Sequence, residues 1–279
     1  MSSRISVIGL GEVGTPTFED LCKKIGSTRE IVGVDIDSDR LEGFKRKGYE
    51  VAPKAPVSDV YIISVYLTRQ IFNVLETLDL SRRPLVSIES TIDVREAPTF
   101  RTWAQESNTH LVTVPHRFVP NDPAHRVFNL NRVLGGVDKA STNRGMNLYE
   151  GWMEPPAKVY EASSFEYAGL SKLVDNATRY AQISWAQNLR MYLEELGYDF
   201  NEIRRLTGTK FNIVLPDARD GIKLKCLPKD MAILRDLDPT RAHTHTFKPK
   251  SDFIADMIDQ NEFYKHYAKA KGFPKTPDL

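Results

Sequence analysis

Ile5-Ser6-Val7-Ile8 runs directly into Gly9-Leu10-Gly11-Glu12-Val13-Gly14, and no other stretch constrains the fold of this chain as tightly. A short apolar run of this kind reads as a buried strand. Three glycines alone are weak evidence, but a G-x-G-x-x-G that follows a strand and opens a helix is a dinucleotide-binding fingerprint. The context here is complete. Phe18, Leu21, Cys22 and Ile25 recur at helical spacing, and Glu30 to Val34 reads as a second strand ending in Asp35. The distance from Gly14 to Asp35 matches the roughly 20 residues that such a unit requires. Gly9 permits the tight turn, Gly11 lets a pyrophosphate approach the backbone, and Gly14 lets helix and strand pack closely. The helix N-terminus then faces the phosphates. Asp35 can accept from the ribose hydroxyls and repel a 2′-phosphate, so the expected cofactor is NAD. Arg40 lies toward the adenine side. The competing reading is a glycine-rich turn with no ligand.

Further units follow the same rhythm. Val60–Val65, Leu85–Ile88, Thr109–Val114 and Asn131–Gly136 read as strands. Gln70–Leu78 and Ala97–Gln105 read as helices. Alternating strands and helices imply an α/β fold with a doubly wound parallel sheet of the Rossmann type. Ligands bind at the carboxyl ends of such strands, which places Thr91 and the turn at Pro115-His116 near cofactor or substrate. After Pro155-Pro156 the pattern becomes helical. We expect an NAD-binding domain over 1–155 and a mostly helical second domain over 156–279. Ser163–Leu196 reads as one long helix with a serine near its N-cap, Phe200–Thr207 as another, and Ser251–Lys271 as a closing helix with a solvated basic face.

The second half carries the residues with chemistry. Lys172 and Asn176 are four apart and share a helix face; a solvated pair is the plain alternative. Cys226 sits in a loop, Gly221-Ile222-Lys223-Leu224-Lys225-Cys226-Leu227-Pro228-Lys229-Asp230. A basic neighbourhood favours the thiolate, the reactive form of the side chain. A buried structural cysteine is the alternative. His243 and His245 have no carboxylate or cysteine cluster beside them, so no metal site is expected.

Bulk properties exclude several classes of partner. Lys plus Arg number 38 and Asp plus Glu 37, so nothing draws the chain to nucleic acid or to an anionic membrane. No apolar run is long enough to span a bilayer. Cys22 and Cys226 are too few for a disulfide framework, and Met1-Ser2-Ser3-Arg4 leads into a strand rather than a signal peptide. The expected compartment is the cytoplasm.

Taken in order, these segments resemble the UDP-glucose/GDP-mannose dehydrogenase family from Ile5 to about Tyr264. The resemblance rests on Gly9 to Pro16, Val34-Asp35-Ile36-Asp37, Ile63-Ser64-Val65, Ser87 to Thr91, Lys172 to Tyr180, Asn201 to Arg205, Phe211-Asn212-Ile213 and Cys226 to Asp230. Pro115 to Pro120 and Asn131 to Gly136 look most like the branch acting on UDP-N-acetylhexosamines. The resemblance implies oxidation of a sugar primary alcohol to a carboxylate with two NAD. It implies Cys226 as the nucleophile that forms a thiohemiacetal and then a thioester. Lys172 and Asn176 would stabilise the oxyanion, and Asp230 would help to activate water. Thr91 would stand at the nicotinamide and water site, Lys229 would approach NAD, and Val13 and Val65 would line the cofactor site with Gly9, Gly11, Gly14, Asp35 and Arg40. A homodimer through the long helix is implied as well.

Departures from the family accompany the match. Lys223-Leu224-Lys225 stands where Gly-Gly-His is usual, His116 and Gly169 where glutamates are, and Tyr66-Leu67-Thr68 where Pro-Thr-Pro is. The chain also stops where the family continues into a nucleotide-sugar-binding domain. These departures suggest an anionic sugar, sugar-nucleotide or nucleoside substrate that is smaller than or different from an ordinary UDP-sugar, such as a phosphorylated sugar or nucleoside. Two rival readings remain: a two-electron alcohol dehydrogenase using Lys172 and Asn176 without Cys226, and a non-catalytic NAD-binding protein completed by a partner chain.

Overall fold

The computed structural model describes residues 3–118, 122, 124–223, 226–237 and 253–273. Chain packing divides it into two compact units, Met1–Lys172 and Leu173–Leu279. The first unit therefore takes in the first turns of the long helix as well as the residues up to 155.

The first unit is built on β1 (Arg4–Ile8), α1 (Gly14–Ile25), β2 (Glu30–Val34), α2 (Ser38–Arg46), β3 (Val51–Ala52), β4 (Val60–Ile63), α3 (Thr68–Leu75), β5 (Leu85–Ile88), α4 (Ala97–Glu106), β6 (His110–Thr113), β7 (Arg132–Gly136), α5 (Lys139–Glu150) and β8 (Val159–Glu161). Its eight strands lie in the order β3-β2-β1-β4-β5-β6-β7-β8. Every pairing is parallel except β6 with β7, where Val112 faces Gly136 and Thr113 faces Gly135. This is the doubly wound α/β sheet expected, with one antiparallel neighbour added.

Side-chain alternation along the strands makes the two faces. Ile5 and Val7 of β1, with Val60 and Ile62 of β4, pack with Phe18 and Leu21 of α1 and Tyr149 of α5. Ile8, Tyr61 and Ile63 point the other way, to Ile71 and Leu75 of α3 and Phe100 of α4. Both faces are covered, which is why these strands read as unbroken apolar runs. Burying a phenylalanine such as Phe18 so fully is worth about 3–5 kcal/mol against alanine.

Helix α2 starts on a strong local signal: Asp37 accepts from the N–H groups of Asp39 and Arg40, a cap worth about 1 kcal/mol. Helix α5 begins likewise, with Asp138 accepting from the Ser141 N–H. Helix α3 begins at Thr68 and ends at Leu75, earlier than the sequence pattern suggests, because Gln70 Oε1 accepts from the Leu67 N–H at 2.9 Å and fixes the start.

The second unit consists of the rest of α6 (Phe165–Glu195) with α7 (Phe200–Thr207), α8 (Cys226–Asp236) and α9 (Phe253–Ala270). Ser164 caps α6, its hydroxyl accepting from the Tyr167 N–H at 3.4 Å. Two apolar clusters hold this unit. One joins Tyr180 and Ile183 to Ile222, Met231 and Met257, and the other joins Ala186 and Phe200 to Ala218, Tyr264 and Ala268. Helix α9 is thus more than a solvated closing element: Met257, Asn261, Tyr264 and Ala268 form a buried inner face. Cys226 is the first residue of α8 rather than part of a loop. Among the described residues, no helix is long and apolar enough to cross a membrane.

Candidate functional site

The β1–α1 turn has the geometry that its glycines require. Gly9 has φ +90°, a left-handed conformation that side chains resist, and a Cβ there would lie 2.5 Å from the Ser64 carbonyl oxygen. A Cβ on Gly14 would lie 1.8 Å from the Gly9 oxygen, so only glycine closes this turn. Gly11 differs: a Cβ there would meet nothing within 4 Å. The turn is therefore tight below and open above. Helix α1 starts at Gly14 with no side-chain cap from Val13; the Thr15 N–H bonds to the Gly11 carbonyl at 3.0 Å and Pro16 has no N–H, so the Gly14 N–H is what this first turn offers to another acceptor. Ser64 Oγ, buried against Gly14, has no hydrogen-bond partner in the structure. A glycine cradle over open space and an uncapped helix start together fit the pyrophosphate of a dinucleotide.

Asp35 stands at the end of β2, buried. Its Oδ2 accepts from the Leu10 N–H at 2.7 Å and from Arg40 Nη1 at 2.9 Å, and its Oδ1 from the Asp37 N–H at 3.0 Å. Burial pushes this carboxyl up, but the Asp37 and Leu10 N–H groups and the Arg40 guanidinium outweigh burial and hold it below its ordinary value. Arg40 also reaches Asp37 at 3.6 Å, so one guanidinium lies between two carboxylates. Ile36, between those two aspartates, is 96% exposed, an aliphatic side chain in water that sequence reading did not single out. The sequence marks it only by its place, between two aspartates at the end of the second strand.

Val65 and Thr91 follow β4 and β5, at carboxyl ends of the sheet. The Val65 N–H donates to Ser90 Oγ at 2.8 Å, which ties these two loops together. Lys172, half-buried, lies one turn before Asn176 on α6.

In the second unit the structure brings Asn176, Lys229 and Asp230 together. The Asp230 carboxylate is fully buried. Asn176 Nδ2 donates to its Oδ2 at 2.5 Å, and Lys229 Nζ donates to its Oδ1 at 2.6 Å. Cys226 is exposed and lies one turn before Asp230 on the same face of α8. A helix N-terminus favours a thiolate through its dipole. Cys22 is half-buried instead: burial, with Glu19 adding to it, pushes its thiol up to about 11. Lys223 Nζ is ion-paired with Asp220 at 2.7 Å, which meets part of the charge expected to act on Cys226. Lys225, His243 and His245 fall outside the described residues.

A residue missed by sequence reading holds the approach to α8. Asn261 of α9, buried, accepts from the Ile222 N–H at 2.7 Å and donates to the Ile222 carbonyl at 3.0 Å. It thus takes both backbone groups of the segment that leads to Cys226. Gln187 Nε2 donates to the same Asn261 oxygen at 3.2 Å.

Residues 166–261 match the central domain of the UDP-glucose/GDP-mannose dehydrogenase family. An NDP-N-acetyl-D-galactosaminuronic acid dehydrogenase of Ralstonia nicotianae is 24% identical over 284 residues, covering 85% of this chain and 66% of that protein. A UDP-N-acetyl-D-mannosamine dehydrogenase of Methanocaldococcus jannaschii is 24% identical over 269 residues, covering 82% and 61%. The chain thus spans slightly under two thirds of the length of these curated relatives. The solved structure of a UDP-D-ManNAc dehydrogenase from Pyrococcus horikoshii superposes with a TM-score of 0.75 at 23% identity, over 96% of this chain and 70% of that one, and has the same fold. Over residues 166–261 the chain is thus similar to the central domain of the UDP-glucose/GDP-mannose dehydrogenase family.

Proposed function

We propose that this chain is an NAD-dependent dehydrogenase that oxidises the primary alcohol of an anionic sugar substrate, a nucleotide sugar above all, to a carboxylate. The names of its relatives make nucleotide-linked N-acetylhexosamines the first substrates to try. The observation that supports this reading most is the buried Asp230 carboxylate, held by Asn176 and Lys229, one helical turn after an exposed Cys226.

When bound, NAD supplies the hydride acceptor for each oxidation. The uncapped start of α1 and the open space over Gly11 receive its pyrophosphate. Asp35 Oδ1 has one N–H donor where a carboxylate oxygen takes about two, so it accepts from a ribose hydroxyl. Arg40, shared by two carboxylates, leaves an excess of negative charge at the 2′ position, which favours NAD over NADP. Ile36 gives the adenine an aliphatic face. Val13 and Val65 flank the cofactor, Lys229 approaches it, and Thr91 stands at its reactive end.

Lys172 and Asn176 meet the substrate oxygen and stabilise the negative charge that develops there. The Cys226 thiolate adds to the aldehyde carbon: a C–S bond forms and the carbonyl π pair moves to oxygen. At the thioester stage, water attacks the same carbon, the C–S bond breaks and the thiolate leaves. Asp230 helps to take the proton of that water. Trp185 and Tyr192, both more than half exposed and seven apart on α6, support a homodimer through this helix.

The test is NADH formation from a panel of UDP-N-acetylhexosamines, UDP-glucose and phosphorylated sugars, with acid product and NADH counted together. Two NADH per carboxylate supports the four-electron reading. NAD binding without turnover of any alcohol would move the case to a non-catalytic role.

A further inference from the structure

The carboxyl ends of β5 and β6 enclose a buried polar chain that the proposed mechanism does not use. The Glu89 carboxylate has no solvent exposure. Its Oε1 accepts from Arg132 Nη2 and from the Tyr149 hydroxyl, both at 2.9 Å. Its Oε2 accepts from the Thr17 hydroxyl at 2.9 Å. His116 Nε2 lies 3.1 Å from the same Thr17 oxygen and 3.6 Å from Glu89 Oε2. Hydrogen-bond direction then follows from proton counting. Thr17 has one hydroxyl proton, and the Glu89 carboxylate at 2.9 Å is a nearer and stronger acceptor for it than the Val13 carbonyl at 3.5 Å, so His116 Nε2 donates to the Thr17 oxygen. His116 Nδ1 accepts from the Phe118 N–H at 3.4 Å, so it carries no proton. Only one form of the ring fits: the neutral imidazole with its proton on Nε2.

We propose that Thr17, Glu89 and His116 are positioning residues, a relay that locks α1 to the loops after β5 and β6 and so fixes the cofactor end of the sheet. This inference rests on reading that end as the NAD site. Each link reaches a part named above. Thr17 lies in the first turn of α1, just after the glycine turn. Glu89 precedes Ser90, which holds Val65, and Thr91. The His116 N–H donates to the Glu89 carbonyl at 3.1 Å and joins the two loops directly. Burial, with the charges of Arg132 and Lys172, holds the His116 ring well below its ordinary value, which agrees with the neutral form. The ionisable groups acting on it are Glu89 from the loop after β5, Arg132 from β7 and Lys172 from α6, and Tyr149 from α5 shares Glu89. Only Glu89 favours protonation, and Thr17 stands between the two.

The experiment uses the whole chain as wild type and as two variants of one residue: Thr17→Val, which keeps shape and removes the hydroxyl, and Thr17→Ser, which restores it. Nitrogen-15 spectra of the histidines report tautomer and titration, hydrogen exchange reports loops 64–66 and 89–91, and calorimetry reports NAD affinity. Wild type should hold His116 as the Nε2-protonated tautomer without titration between about pH 5.5 and 8. In Thr17→Val, His116 should face Glu89 directly and titrate in that range. Exchange at both loops should rise and NAD affinity should fall about tenfold. Thr17→Ser should recover all three readouts. A Thr17→Val protein with wild-type tautomer, exchange and affinity would overturn the relay. So would a wild-type His116 that titrates at its ordinary value. A locked tautomer and protected loops in a wild type that binds no NAD would leave the relay standing and overturn the cofactor reading instead.

Discussion

Replacing Asn261 with leucine tests whether one buried amide sets the approach to Cys226. The two side chains are similar in size, so the change removes hydrogen bonds with little change in volume. Ile222 is 2% exposed, and its N–H and C=O both bond to Asn261, at 2.7 and 3.0 Å. The leucine leaves both backbone groups buried and unmatched. A buried donor or acceptor without a partner costs about 1–3 kcal/mol, and two of them cost roughly 2–6 kcal/mol. Each kcal/mol moves the melting point of a domain this size by about 4–8 °C. Asn261→Leu should therefore lower the melting temperature by about 10 °C or more, measured by calorimetry. The segment before α8 should loosen as well, so proteolysis near residues 219–223 should speed up. A melting point within about 2 °C of wild type, with unchanged cleavage, would refute this account of how Cys226 is positioned.

Other expectations follow from the same geometry. Gly14→Ala should abolish NAD binding or folding of the first unit, because its Cβ would lie 1.8 Å from the Gly9 oxygen, whereas Gly11→Ala should fold normally and weaken NAD alone; thermal melts beside NAD titrations separate the two. Asp35 is held below its ordinary carboxyl value. Its contribution to stability is therefore present above the unfolded value of about 4 and is lost as pH falls through the lower folded value. Asp35→Asn should flatten part of the acid-side loss in a pH series of melts, and it should narrow the preference for NAD over NADP in paired affinity measurements. Lys172→Ala should abolish turnover and leave NAD affinity nearly unchanged, and a wild-type rate would return Lys172 and Asn176 to a solvated helix face.

Legibility in the sequence followed the range of the interaction. The β1–α1–β2 unit was plain because each cause is local: an apolar run, glycines whose absent Cβ atoms close the turn, and an aspartate at the strand end. Helix α2 was hidden by composition. In Ser38–Arg46 only Leu41 and Phe44 are buried, and the other positions are polar or glycine. Helix α5 was hidden differently: Gly145 packs its backbone against Leu134 and Val112, so part of the buried face is made without a large side chain. The antiparallel step from β6 to β7 leaves no mark, because alternation has no direction. Lys172, Asn176, Cys226 and Asp230 are candidates from spacing and resemblance alone, and the bond from Asn176 to Asp230 joins residues 54 apart. The Glu89 network was not found at all. Arg132 lies 43 residues and Tyr149 60 residues from Glu89, and no local pattern signals that they meet. Asn261 escaped for the same reason, as one amide on a helix that looked solvated.

The central claim is that Cys226 carries a covalent step in an alcohol-to-acid oxidation. Its most direct test is the number of NADH formed per substrate consumed, measured with intact-protein mass during turnover, for wild type and Cys226→Ala. The account predicts two NADH per carboxylate and a transient mass adduct on wild type, with both lost in Cys226→Ala. Full two-to-one stoichiometry in Cys226→Ala, or a clean one-to-one yield of aldehyde or ketone from wild type, would contradict it.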